Sequence, residues 1–182
     1  LPHKQIRTVG AWCFVDHYGP DEQTMSIPPH PHIGLQTVSW LLAGQIEHRD
    51  SVGSLQTIRP GEVNVMTAGR GIAHSEYSVA VPGPLHGVQL WVALTEQHRD
   101  TPPAFEHHAG LPVVEQGGMS ARVMMGAFAG ATSPATTFKL LLPPLHTGFG
   151  VAVVDCTTGT GFTVTVTLAV PVQPPTPVAV TV

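Results

Sequence analysis

The chain has 182 residues, of which only 11 % are charged, with 19 glycines, 18 prolines, 11 histidines and a formal charge of −4. So few charged side chains cannot coat long amphipathic helices, and the composition reads as a turn-rich β protein with one well-buried core. No cluster of Lys and Arg offers a nucleic-acid surface, and no apolar run approaches the ~20 residues that span a bilayer.

The chain begins at Leu1 rather than Met, so a few leading residues are expected to be missing. No basic segment followed by an apolar one marks a signal peptide, which makes the cytoplasm the default location. Cys13 and Cys156 lie far apart and outside any Cys-x-x-Cys pattern, as free core thiols in a reducing compartment would.

In chain order, "DHYGP" (16–20) comes first, where Asp16 and His17 are expected to form a hydrogen-bonded pair that pins the N-terminal segment. In "SIPPHPH" (26–32), Pro29 and Pro31 favour an extended backbone around His30 and His32. "TVSWLL" (37–42) is β-branched and aromatic and ends at the Ala43-Gly44 turn signal. "QIEHRDS" follows, with His48, Arg49 and Asp50 expected at a solvated hairpin end. Gly53 punctuates the chain before "LQTIRP", and Pro60-Gly61 before "EVNVMTAG", a strand with Val63, Val65 and Thr67 on one face.

"GRGIA" then leads into "HSEYSVAV", with Gly69 and Gly71 allowing a tight corner around Arg70, and "PGPLHG" separates this from "VQLWVAL". Short strands at roughly 8–12-residue intervals predict a β-sandwich or barrel. Beyond Thr95 a polar, Pro-bearing connection runs through His107 and His108, both expected to be exposed. "SARVMMGAFAG" reads as one more strand and turn, and "FGVAVVDCTTGTGFTVTVTLAV" as two strands around a Gly-rich turn. The closing "QPPTPVAVTV" reads as a linker or an edge segment.

The chemistry lies in the histidines. In a strand, residues i and i+2 face the same side, so His30 and His32 aim into one space, and His74 and Glu76 of "HSE" do likewise. Two such pairs on neighbouring strands bring three imidazoles and one carboxylate to a point. That mixed donor set suits one divalent first-row metal such as Fe, Mn, Ni, Cu or Zn. Four protein ligands on one side of an octahedron leave open positions, which favours catalysis. No phosphate-binding Gly loop, Ser-His-Asp order or other nucleophile stands out.

The run "PPHPHIGLQTVSWLLAGQIEHRDSVGSLQTIRPGEVNVMTAGRGIAHSE", with "DHYGP" before it and "LHGVQLWVAL" after it, resembles the pirin branch of the cupin superfamily from about Val9 to about Met125. The resemblance implies a double-stranded β-helix, the cupin jelly-roll barrel, over residues 1–130, with His30, His32, His74 and Glu76 as metal ligands and iron as the metal. Many cupins place a Glu where this chain has Gln36, and the H-x-E pair then supplies the carboxylate instead. Pirins usually carry a second, metal-free barrel. Residues 131–182 are too few for one, so a shortened C-terminal β segment, or an incomplete sequence, is expected.

In pirin-like barrels the strand of Gln89 and Trp91 lines the pocket. Gln36, Val38, Trp40, Gln89 and Trp91 are the expected substrate pocket, with Val38, Trp40 and Trp91 as the apolar lining that holds the substrate's rings. His86 is either an orienting partner of a ligand or a surface turn residue. The resemblance implies a dioxygenase acting on a flavonol such as quercetin, with O2 as co-substrate and Glu76 as the base for the flavonol hydroxyl. It also admits an iron-dependent, redox-sensitive regulator that binds a protein partner, or a structural metal without turnover. A monomer is expected.

Overall fold

The computed structural model describes residues 11–22, 24–116 and 119–135, together with three further strands at 152–158, 161–168 and 178–181. Every regular element among them is a β-strand, and every pairing is antiparallel. Among the described residues no helix is long and apolar enough to cross a membrane. The chain divides into two compact units, Leu1–Ala109 and Gly110–Val182.

The first unit contains β1 (Trp12–Asp21), β2 (Ser26–His32), β3 (Leu35–Ala43), β4 (Ile46–Asp50), β5 (Leu55–Ile58), β6 (Val63–Thr67), β7 (Ile72–Ser78), β8 (Leu85–Ala93) and β9 (Ala104–His108). They form a five-stranded sheet ordered β1-β8-β3-β6-β9 and a four-stranded sheet ordered β2-β7-β4-β5. Sequence neighbours keep switching sheets, the winding of a double-stranded β-helix. The polar connection after Thr95 contains a strand that its sequence conceals. β9 follows two prolines and pairs with β6, so His107 and His108 are partly buried rather than exposed.

Register decides what each face of the larger sheet does. β3 pairs with β8 so that Thr37 lies opposite Trp91 and Ser39 opposite Gln89, while Val38 meets Leu90 and Trp40 meets Val88. Strand parity therefore puts Thr37, Ser39, Gln89 and Trp91 on one face, and Gln36, Val38, Trp40, Val88 and Leu90 on the other. The first face looks toward the smaller sheet, since Gln89 reaches Glu76 on β7 and Trp91 reaches His32 on β2. Both faces are buried, which is why "TVSWLL" shows no alternation. Val38, Trp40, Val63, Val65 and Leu90 are fully buried on the second face. A buried side chain of this size contributes about 1.5–3 kcal/mol relative to exposure.

Inside the barrel, Leu41, Ile46 and Ile58 cluster with Tyr18, Met25 and Leu85, and Met66, Ala68 and Ile72 cluster with Leu35 and Phe105. The corner before β7 needs glycine. Gly69 has φ +53° and Gly71 φ +141°, and a Cβ on Gly69 would run into the Thr101 carbonyl. The Gly34 N–H donates to the Gly69 carbonyl at 2.8 Å, tying this corner to the residues just after β2.

The second unit carries β10 (Val113–Gln116), β11 (Met119–Met125), β12 (Ala127–Phe128), β13 (Ala131–Thr132), β14 (Ala152–Thr158), β15 (Gly161–Leu168) and β16 (Val178–Thr181). One sheet runs β10-β11-β14-β15-β16, and β12 pairs with β13. The two strands read around the Gly-rich turn are β14 and β15, and the closing segment supplies the edge strand β16.

Candidate metal centre

β2 and β7 run antiparallel with His30 opposite His74 and His32 opposite Ile72. This register, with the i, i+2 parity of each strand, crowds the three imidazoles together. Ring centroids lie 4.8 Å apart for His30–His32, 4.5 Å for His30–His74 and 5.0 Å for His32–His74. One nitrogen from each of the three lies within 4.8 Å of the others. His30 Nδ1 donates to the Pro28 carbonyl at 2.9 Å, which leaves its Nε2 lone pair free to act as a donor atom. His32 Nε2 and His74 Nε2 face each other at 3.1 Å.

Burial decides the charge state. His74 is pushed down to about 3 by burial first, then by the neighbouring His48, His30 and His32. Burial and then His30 also lower His32. Neutral imidazoles with lone pairs turned to a common point are what a transition ion requires.

Glu76 is buried on the same face of β7 as His74. Burial pushes its carboxyl up, and the hydrogen bond from Gln89 pulls it partly back. Gln89 Nε2 donates to both carboxylate oxygens, at 3.2 and 3.1 Å, and lies 3.0 Å from Ser39 Oγ. The Trp91 indole N–H donates to Gln89 Oε1 at 3.2 Å, fixing which end of the amide meets Glu76. Trp91 itself stacks on Phe14 with centroids 4.3 Å apart, and meets the His32 ring at 4.9 Å.

The structure thus brings His30, His32, His74, Glu76, Gln89 and Trp91 into one neighbourhood. It does not bring Gln36, Val38 and Trp40 there, because they sit on the opposite face of β3. Gln36 Nε2 donates to Thr67 Oγ1 at 2.9 Å, its cross-strand partner on β6. His17 pairs with His86, Nε2 to Nε2 at 2.8 Å, rather than with Asp16, so His86 is not the orienting partner of a ligand.

The largest correction concerns His48. It is no solvated hairpin residue but only 3 % exposed, opposite Glu76 on the β4–β7 ladder. Its ring stacks on Phe105 with centroids 4.4 Å apart. His48 Nδ1 lies 3.3 Å from His74 Nδ1, and His48 Nε2 lies 3.1 Å from Asp50 Oδ2. Burial pushes the Asp50 carboxyl up, but the Ser54 amide and the His48 ring outweigh it and hold the group below its ordinary range. The His-x-Asp parity of 48 and 50 matches that of 74 and 76, and was the available signal. His48, His74 and Glu76 also form a second set of donors within 4.8 Å of one another.

An all-antiparallel double-stranded β-helix with imidazoles and a carboxylate turned inward from adjacent strands defines a cupin. The family model described as Pirin matches residues 1–92, and the chain belongs to the pirin family. It is 47 % identical over 146 residues to "Putative quercetin 2,3-dioxygenase PA1205" of Pseudomonas aeruginosa, covering 78 % of this chain and 46 % of that one. To a pirin-like protein of Caulobacter vibrioides it is 44 % identical over 153 residues, covering 78 % and 53 %. The crystal structure of a quercetin 2,3-dioxygenase from Acinetobacter baumannii superposes with a TM-score of 0.76 at 39 % identity, over 92 % of this chain and 54 % of that one. The chain spans about half the length of these relatives.

Proposed function

We propose that this unit is the metal-bearing half of an oxygenase acting on a flavonol such as quercetin. The observation that carries the reading is the convergence of His30, His32 and His74 nitrogens, with the buried Glu76 carboxylate within 4.8 Å of a His74 ring nitrogen. In this reading those four residues hold one divalent transition ion. Iron is our assignment, and a nitrogen-rich set with one carboxylate also admits Mn, Ni, Cu or Zn. The bound ion supplies Lewis acidity and one-electron chemistry toward O2.

The protein's own groups do the rest. Glu76 is the carboxylate placed to take the proton of the flavonol 3-hydroxyl, at the oxygen that the ion would leave free. Gln89 holds both oxygens of that carboxylate through its amide nitrogen. Trp91, beside His32, offers an aromatic face to the substrate's rings. Names of relatives that specify quercetin support the substrate class.

The test is elemental analysis of the purified protein, followed by O2 uptake with quercetin for the wild type and for His74→Ala. One transition ion per chain and oxygen uptake that disappears in His74→Ala are expected. A bound ion without oxygen uptake would refute the enzyme reading, and would favour a metal-dependent binding role for this fold.

A further inference from the structure

We infer that Asp50 and His48 form a positioning relay that sets the tautomer of His74, so that its Nε2 lone pair points to the metal. This assignment rests on the metal site proposed above. The relay begins in the short loop after β4. The Val52 and Ser54 N–H groups donate to Asp50 Oδ1 at 3.0 and 2.9 Å, and the Asp50 side chain is fully buried. Backbone amides only donate, so Oδ1 is committed to them and Oδ2 is left facing His48 Nε2 at 3.1 Å.

An ionised carboxylate only accepts, so His48 Nε2 carries hydrogen, and in the neutral ring Nδ1 is then an acceptor. At 3.3 Å from that acceptor, His74 Nδ1 must be the donor. His74 Nε2 is consequently the bare nitrogen, and it is the one that faces His32 Nε2 at 3.1 Å.

Two further contacts hold the relay in line. Phe105 stacks on the His48 ring at an interplanar angle of 18°, fixing the plane in which its nitrogens lie. The β4–β7 register sets Asp50 opposite His74 and His48 opposite Glu76, so one ladder carries both the relay and the ligands. Metal-bound imidazoles generally donate their second N–H to such a partner, and losing that partner typically weakens metal binding about 10–100-fold.

Asp50→Asn gives the sharpest test. The backbone amides keep the Asn oxygen, so its NH2 is turned to His48 Nε2 and the relay reverses: His48 donates from Nδ1, and His74 moves its hydrogen to Nε2. Long-range 1H–15N spectra of histidine-labelled, metal-free protein read this directly. The expected result is Nδ1–H on His74 in the wild type and Nε2–H in Asp50→Asn. Chelator competition with Zn2+ should show affinity about 10–100-fold weaker in Asp50→Asn and His48→Gln, with one ion per chain still bound at saturation.

Nε2–H on His74 in the wild type would overturn the relay. So would affinities within twofold of wild type in both variants. Complete loss of the site, or a second ion lost on His48→Gln, would make His48 a ligand instead. Should Asp50→Asn fail to fold, the wild-type spectrum and His48→Gln still decide. If the wild type binds no divalent ion, the metal reading fails, while the metal-free spectrum still reports on the relay.

Discussion

Two pairs of imidazoles in this barrel stand almost equally close, and they are built differently. His32 and His74 meet at 3.1 Å between Nε2 atoms, and His17 and His86 at 2.8 Å. The first pair joins β2 and β7 of the smaller sheet on the face turned toward Trp91, with His30 and Glu76 beside it and His48 and Asp50 behind His74. The second joins two strands of one sheet at the surface, and no donor set among the described residues includes either member. Close approach of two nitrogens is therefore a weak sign of a metal. What distinguishes the inner pair is its setting: His48 takes the second nitrogen of His74, and the neighbouring His30 has its own second nitrogen taken by the Pro28 carbonyl.

Breaking the inner pair should have the largest effect. His74→Ala removes a donor outright, and its divalent-ion affinity should fall by more than the roughly 100-fold upper range for an outer partner, measured by chelator competition. Next comes Gln89→Leu, which leaves the buried Glu76 carboxylate without its amide donor. It should cost about 1–3 kcal/mol in urea unfolding of the metal-free protein.

A smaller effect comes from acid. His74 has a folded pKa of about 3 against an ordinary 6.5, so between these values the unfolded chain binds the extra proton. Stability of the metal-free protein should fall as pH drops through that window, with Glu76, raised by burial, offsetting part of the fall. Thermal melts across pH should show a flatter slope in His74→Gln. The outer pair should respond least: His86→Ala should change stability by no more than about 0.5 kcal/mol and leave ion affinity unchanged in the same titration.

The same contrast explains what was legible in the residues alone. His30, His32, His74 and Glu76 could be grouped because strand parity is local, and prolines and glycines announce where the strands begin. Parity tells which residues of one strand share a face, but not which face meets the cavity. The residues alone thus place Trp40 and Trp91 in one pocket, whereas the β3–β8 register sets Trp40 opposite Val88 and on the other side of the sheet. The burial of His48 is hidden in the sequence for a related reason. "HRD" is polar by composition, and only the pairing of β4 with β7 buries its ring. The outward member of that triplet, Arg49, does behave as read, exposed and paired with Glu47.

The bond from the Gly34 amide to the Gly69 carbonyl reaches beyond the turn it closes. It joins the chain two residues after His32 to the chain just ahead of β7, so the strands that carry the proposed ligands are clasped by backbone without an ion. Capture of an ion then orders no long loop and forfeits little chain entropy. Nearly all of the binding free energy is left to appear as added resistance to unfolding, about 2.7 kcal/mol when the free ion stands at a hundred times its dissociation constant.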